Sequence, residues 1–355
     1  MEQTLGHVSF AQTLRRSTQQ DGDVGIDWVD VNGGFERRWE SLPAIRSSWS
    51  LRAALKARAE VERRRRITGR PDLYLFHTHV VSALSAGWLL NSPPVVISLD
   101  ATPWNYDRVG QAYSHRIGSD SEEAFKHWLN KRAFQEAAFL VSMSDWARRS
   151  LIDEYAVQSD RIAVIPPGTD LSLWCDPGHA VTDRTSNPKL RLLFVGGDFR
   201  RKGGRLLYDT FAKNFADTCE LHVVTKSPEV PTGAGVFVHR DVPPNSAELR
   251  TLFSTADVFV LPTLGDVHSI ASVEAMAAGL PVVASDIPAH REVAGGAAVL
   301  VEPSDVRGVV GATLGMLASD GAHDGTAGRR AARAFSWERS GTMLAELLRE
   351  VNDGR

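Results

Sequence analysis

The sequence predicts an α/β protein built as two doubly wound domains, and three observations predict it. The chain has 355 residues, whereas a single domain usually holds about 100 to 200. Short, continuously apolar, β-branched runs alternate with helix-length stretches, the pattern of parallel strands buried on both faces. That alternation stops at Pro166-Pro167-Gly168 and then begins again. With 43% hydrophobic and 23% charged residues, the composition is that of an ordinary globular protein. Lys and Arg number 40 against 43 Asp and Glu, a net charge of −3, so the chain has no basic field for nucleic acid. No apolar run reaches the roughly 18 residues of a membrane span. Met1 to His7 lack the basic and apolar regions of a signal peptide, and a cytoplasmic location is expected. The only cysteines, Cys175 and Cys219, form no CxxC and lie near no His pair, which excludes a disulfide scaffold and a structural zinc site.

In chain order, strands are expected over 25–31, 73–77, 95–99, 138–141 and 161–165, with helices over 51–66 and 122–138 between them. After the Pro-Pro-Gly joint and a polar stretch (176–189), strands follow over 190–195, 220–225, 236–239, 257–261, 281–284 and 297–301. A last helix, capped by Ser336, carries the stripe Trp337, Leu344, Leu348, Val351. Two readings of it stand: it packs back onto the first domain, or it closes the second. The division expected is 1–168, 169–335 and a terminal helix, 336–355. The start is unusual. Gly6-His7 and 8–16 look like the loop and helix that follow a first central strand, so a strand of about six residues is expected to be missing upstream.

The strongest chemical signal is VFVLPTLGDVHSIASVEAMAAGLPVVASD (258–286). A strand ends at Pro262, a loop holds Gly265-Asp266, and a helix starts near Ser269 and stops at Gly279. Free backbone N–H groups of Ser269, Ile270 and Ala271 at the carboxyl edge of a parallel sheet form an anion site. Glu274, one turn further in, suits the vicinal hydroxyls of a ribose, and Asp266 suits sugar hydroxyls on the other side of a diphosphate. A second signal is LLFVGGDFRRKGG (192–204). There a strand ends at Gly196-Gly197, where backbone can approach phosphate. Arg200, Arg201 and Lys202 then offer phosphate a planar fork and a point charge. The spacing fits neither GxGxxG nor a P-loop.

These segments, with HREVAGGAAVLVEP (290–303), FSWE (335–338), IPPGTDLSLW (165–174), VSMSDWARRSL (141–151) and DLYLFHTH (72–79), resemble the retaining glycosyltransferases of the GT-B fold, family-four type. The resemblance covers most of the chain and is most specific in its second half. It implies two Rossmann-like domains facing across a cleft, with the terminal helix packing back toward the first. It places the family's Glu-x7-Glu pair on Asp266 and Glu274, with Glu274 on the donor ribose, Asp266 on the transferred sugar, and Arg201 and Lys202 on the diphosphate. Asp266 is one methylene shorter than the usual Glu, and His268-Ser269 replace the usual Phe-Gly, which bears on donor identity.

The first domain is less legible. His77, at a strand end, is carried as a catalytic candidate; a packed strand-end histidine is the alternative, and His79 should point the other way. Asp100 to Trp104 read as a capped turn with a packing Trp, or as an acceptor-sugar contact. Ser142 to Trp146 read as strand end and helix cap. The basic run Arg63 to Arg66 reads as a solvated helix face, with weak peripheral contact to anionic lipid as the alternative. Asp21-Gly22-Asp23 reads as a turn, so no metal site is expected. The function expected is metal-independent, cofactor-free transfer of a sugar from a nucleotide diphosphate sugar (UDP or GDP) to a sugar or lipid-linked sugar hydroxyl. A sugar-nucleotide epimerase or hydrolase, or a non-catalytic nucleotide-sugar-binding protein, is the alternative.

Overall fold

A computed structural model of the chain describes residues 15, 25–31, 49–82, 93–110, 118–175, 189–318 and 325–354. Their contacts fall into two compact units, with the chain passing from the first to the second between Pro167 and Gly168.

The first unit begins with α1 (Trp49–Thr68), β1 (Tyr74–His77), α2 (His79–Ser82), β2 (Val95–Leu99) and α3 (Pro103–Val109). It continues with α4 (Asp120–Glu136), β3 (Phe139–Ser142), α5 (Asp145–Asp153) and β4 (Ile162–Val164). The four strands are parallel in the order β1-β2-β3-β4. Every residue of β2 is buried, as a continuous apolar run with layers on both faces requires. Ser144 caps α5, its Oγ accepting from the Ala147 amide at 3.1 Å, the role its place after a strand end predicts. One face of the sheet packs on α1 and α4 through Ala53, Phe134, Leu140 and Tyr155.

Gly25–Val31 is not the strand its β-branched run predicts. It is irregular apart from a single bridge residue at Val31, since such a run becomes a strand only where a sheet edge is at hand to pair with it. The expectation of a missing first strand and the Asp21–Asp23 tripeptide both concern positions outside the described residues.

In the second unit the order is α6 (Leu171–Trp174), β5 (Leu190–Val195), α7 (Gly204–Asn214), β6 (Cys219–Val224), β7 (Val236–His239) and α8 (Ala247–Thr255). Then come β8 (Val258–Leu261), α9 (Ile270–Ala277), β9 (Val282–Ser285), α10 (Pro288–Ala294), β10 (Val299–Val301), α11 (Val306–Ala318) and α12 (Thr326–Ala332). The six strands are parallel in the order β10-β9-β8-β5-β6-β7. Chain order reverses between β5 and β8, so the loops leaving those two neighbouring strands flank a topological switch point, where open α/β sheets bind ligands.

The terminal helix α13 (Trp337–Asn352) belongs to the first unit. Leu344, Leu347, Leu348 and Val351 cover Val96, Val141 and Ile165 on the face of the first sheet, and Ser340 Oγ donates to the Pro166 carbonyl at 2.6 Å. Of the two readings of the stripe, the structure selects the first.

No helix among the described residues is long and apolar enough to cross a membrane. Part of the Arg63–Arg66 charge is spent internally: Arg63 Nε bonds Glu60 at 2.9 Å, and Arg64 Nη1 bonds Asp27 at 3.0 Å.

Candidate active site

β5 ends at Val195, and the chain turns through Gly196, whose amide donates to the Val224 carbonyl at 2.9 Å. Gly197 stands open, with nothing within 4 Å of where a Cβ would lie. The turn closes at Gly203, which has φ +77°; a Cβ there would sit 1.8 Å from the Pro262 carbonyl oxygen. Only glycine meets both conditions. Its absent side chain lets the loop after β5 lie against the loop after β8, and hydrogen bonds then join the two. The Leu264 amide donates to the Arg201 carbonyl at 2.9 Å, Thr263 Oγ1 donates to the same carbonyl at 3.2 Å, and Arg201 Nη1 donates to the Gly265 carbonyl at 2.8 Å.

This lacing brings the predicted charges together. Lys202 Nζ is hydrogen-bonded to Asp266 Oδ2, and Arg201 Nη1 lies 3.9 Å from Asp266 Oδ1. Arg200 takes no part; it turns outward to Glu229 at 2.6 Å. Asp266 is 5% exposed. Burial pushes its carboxyl up, but the Lys202 ammonium, with His290 and Arg201 adding, more than offsets this and holds it below its ordinary value.

α9 follows immediately. Ser269 precedes it without capping it through its side chain; its Oγ pairs instead with Ser272 Oγ at 2.8 Å. By helix geometry the amides of Ile270 and Ala271 have no intrahelical acceptor, and both residues are only half-buried. Glu274, one turn in, is 8% exposed. No donor among the described residues reaches its carboxyl, and burial raises it to about 8. A carboxyl shut away without a partner is costly to keep charged, and it is a site signal for that reason.

His290 was not picked out from the sequence. It lies on α10, 1% exposed, with Nδ1 at 2.7 Å from the Ser285 carbonyl. Nε2 is buried and has no hydrogen-bond partner among the described residues. Burial lowers its affinity for a proton; Asp266 and the Ser285 carbonyl raise it, and Lys202 lowers it. Its place under the site depends on the loop after β8 folding back, which no local pattern encodes.

The first unit places its candidates differently. His77 ends β1 and is 1% exposed, with Nδ1 3.3 Å from Ser98 Oγ. It borders a small cavity closed by Pro166, Trp337, Ser340 and Leu344. His79 opens α2 and meets Phe134 edge-on. Asp100 caps its own turn, accepting from the Ala101 amide at 2.8 Å, while Trp104 is 40% exposed.

Two family models match, each over a separate half of the chain: Glycosyltransferase Family 4 over residues 10–173 and Glycosyl transferases group 1 over 189–319. A D-inositol 3-phosphate glycosyltransferase of Geodermatophilus obscurus is 29% identical over 85% of this chain and 70% of its own length. The MMP alpha-(1->4)-mannosyltransferase of Mycolicibacterium hassiacum is 30% identical over 59% of this chain, which spans about half (53%) of that relative. Among solved structures, sucrose-phosphate synthase from Thermosynechococcus elongatus superposes with a TM-score of 0.74 at 18% identity, covering 100% of this chain and 96% of its own. Anabaena Alr3699/HepE in complex with UDP-glucose gives 0.64 at 15% identity, covering 96% and 89%. At such identities these structures speak to the fold.

Proposed function

From the premise that the chain belongs to the glycosyltransferases of the GT-B fold, family-four type, we propose that it moves a sugar from a nucleotide diphosphate sugar to an acceptor hydroxyl, with retention of configuration and without a metal ion. The single observation behind this reading is the buried Glu274 carboxyl, which no charged group among the described residues compensates, one turn into the helix that follows the Asp266 loop. A ribose diol supplies the donors that Glu274 lacks, and a diphosphate supplies the anion that Arg201, Lys202 and the α9 amides suit. That Anabaena HepE was solved with UDP-glucose supports the same donor class by analogy.

In the reaction, the bond between the anomeric carbon and the diphosphate oxygen breaks, and its electron pair leaves with the diphosphate. Arg201, Lys202 and the helix start stabilise that growing charge, the work a divalent ion does elsewhere. Asp266 holds hydroxyls of the transferred sugar. The acceptor oxygen, from a sugar or a lipid-linked sugar, bonds to the anomeric carbon on the face the leaving group vacates, and its proton passes to the departing phosphate oxygen. No side chain acts as a covalent nucleophile.

The test is a thermal-shift panel of UDP-, GDP- and ADP-sugars, with and without EDTA. At least one donor should raise the melting temperature, because binding to the folded state alone stabilises it, and EDTA should leave the shift intact. A flat panel removes the donor assignment; a shift abolished by EDTA removes metal independence.

A further inference from the structure

Asp266 is buried, and its charge is balanced by Lys202. The function proposed above gives Lys202 a second anion, the donor diphosphate. An ammonium shared with a phosphate no longer compensates a carboxylate 5% exposed to water, and an uncompensated buried charge costs several kcal/mol. Arg201 does not take its place: it lies 3.9 Å from Asp266, and the same reading sets it on the diphosphate.

His290 remains. Its Nδ1 is pinned to the Ser285 carbonyl at 2.7 Å, so in the neutral ring the proton sits on Nδ1 and Nε2 carries the lone pair. That Nε2 is enclosed and unpartnered among the described residues, a condition buried polar atoms rarely tolerate without cause. The charges acting on the ring are Asp266, from the loop after β8, and Lys202, from the loop after β5. Glu274, the ionisable group of α9, is kept uncharged at neutral pH by burial. On α10 itself, Arg291 is closed onto Asp286 at the surface.

We propose that His290 replaces Lys202 as the counter-ion of Asp266 when the donor diphosphate binds, taking up a proton at Nε2 as the site fills. The proposal rests on the donor reading above and makes His290 a positioning residue acting through Asp266. The proton comes from solvent and returns to it when the nucleotide leaves. The buried, unpartnered Nε2 supplies one half of that contact.

The experiment is calorimetric titration of the full chain with UDP and with GDP at pH 7, in buffers of different ionisation enthalpy, to count protons bound with the nucleotide. His290→Asn keeps an amide donor for the Ser285 carbonyl but has no titrating nitrogen. Wild type should take up more protons than this variant, by a difference approaching one per site; protonation of the nucleotide's own phosphate cancels in the comparison. Equal counts overturn the proposal, including the case where Asp266 itself takes the proton. If His290→Asn does not fold, the imidazole NMR signals of wild type decide: one histidine should titrate at higher pH with UDP or GDP than without, and no such change overturns the exchange. If neither nucleotide binds, the donor reading falls and this inference with it; binding without proton exchange removes only the inference.

Discussion

The two units use the same architecture, and each presents charged or polar side chains at the carboxyl ends of its strands, but they treat those side chains in opposite ways. In the first, His77 finds Ser98, Asp100 finds its own turn amide, and α13 closes over the cavity beside them. In the second, Glu274 and His290 are also buried, yet no charged group compensates the Glu274 carboxyl and His290 Nε2 has no hydrogen-bond partner among the described residues. The described strands of the first unit run in simple sequence, whereas the second reverses between β5 and β8, which sets the loops leaving those two strands side by side. The difference lies in whether the hydrogen bonds of these side chains are met, not in their position at a strand end.

The largest effect is expected at Glu274. An acid whose folded value is raised from 4.5 to about 8 is neutral in the fold but ionises more readily once unfolded. Its contribution to stability is therefore full below about pH 4.5 and is lost progressively as pH rises toward 8. The loss has an upper bound of roughly 5 kcal/mol. Thermal unfolding at pH 5, 6.5 and 8 should show that decline, and Glu274→Gln should flatten it; equal slopes would return Glu274 to the class of satisfied side chains. Next comes Gly203→Ala, which forces a Cβ onto the Pro262 carbonyl at positive φ. It should cost roughly 3 kcal/mol or more of stability in the second unit, measured by denaturant unfolding. Lys202→Ala should lower turnover by about 10²-fold, near 2.7 kcal/mol, the loss seen when one charge-stabilising donor is removed. A near-wild-type rate would mean that the cation is structural. The smallest effect is the control in the other unit: His77→Ala leaves the Ser98 hydroxyl short of a partner and should cost about 1 to 2 kcal/mol of stability. It should leave the thermal shift caused by a nucleotide sugar unchanged; loss of that shift would make His77 part of the donor site.

Much of the second unit was legible because its signals are local. Val258–Leu261, the break at Pro262 and the helix ending before Gly279 follow from a strand run, a proline and a glycine in one short stretch. The acids Asp266 and Glu274 were legible for the same reason. His290 was not, since its meaning depends on Asp266 arriving from another loop. Nor did a β-branched run distinguish Gly25–Val31, which stays irregular, from a paired strand. The stripe of α13 showed that a face would be buried, but Val96, Val141 and Ile165, which receive it, lie far away in sequence; the stripe alone left both destinations open, and the family resemblance pointed to the first unit.

That helix has a further consequence for how the protein is made. Ser340 closes onto Pro166 across 174 positions of chain, so the whole second unit is translated before the first can be finished. While the ribosome works through those residues, the sheet bearing Val96, Val141 and Ile165 keeps one greasy side bare. The portion synthesised earliest is the last to mature, and for that interval it is the natural client of a chaperone.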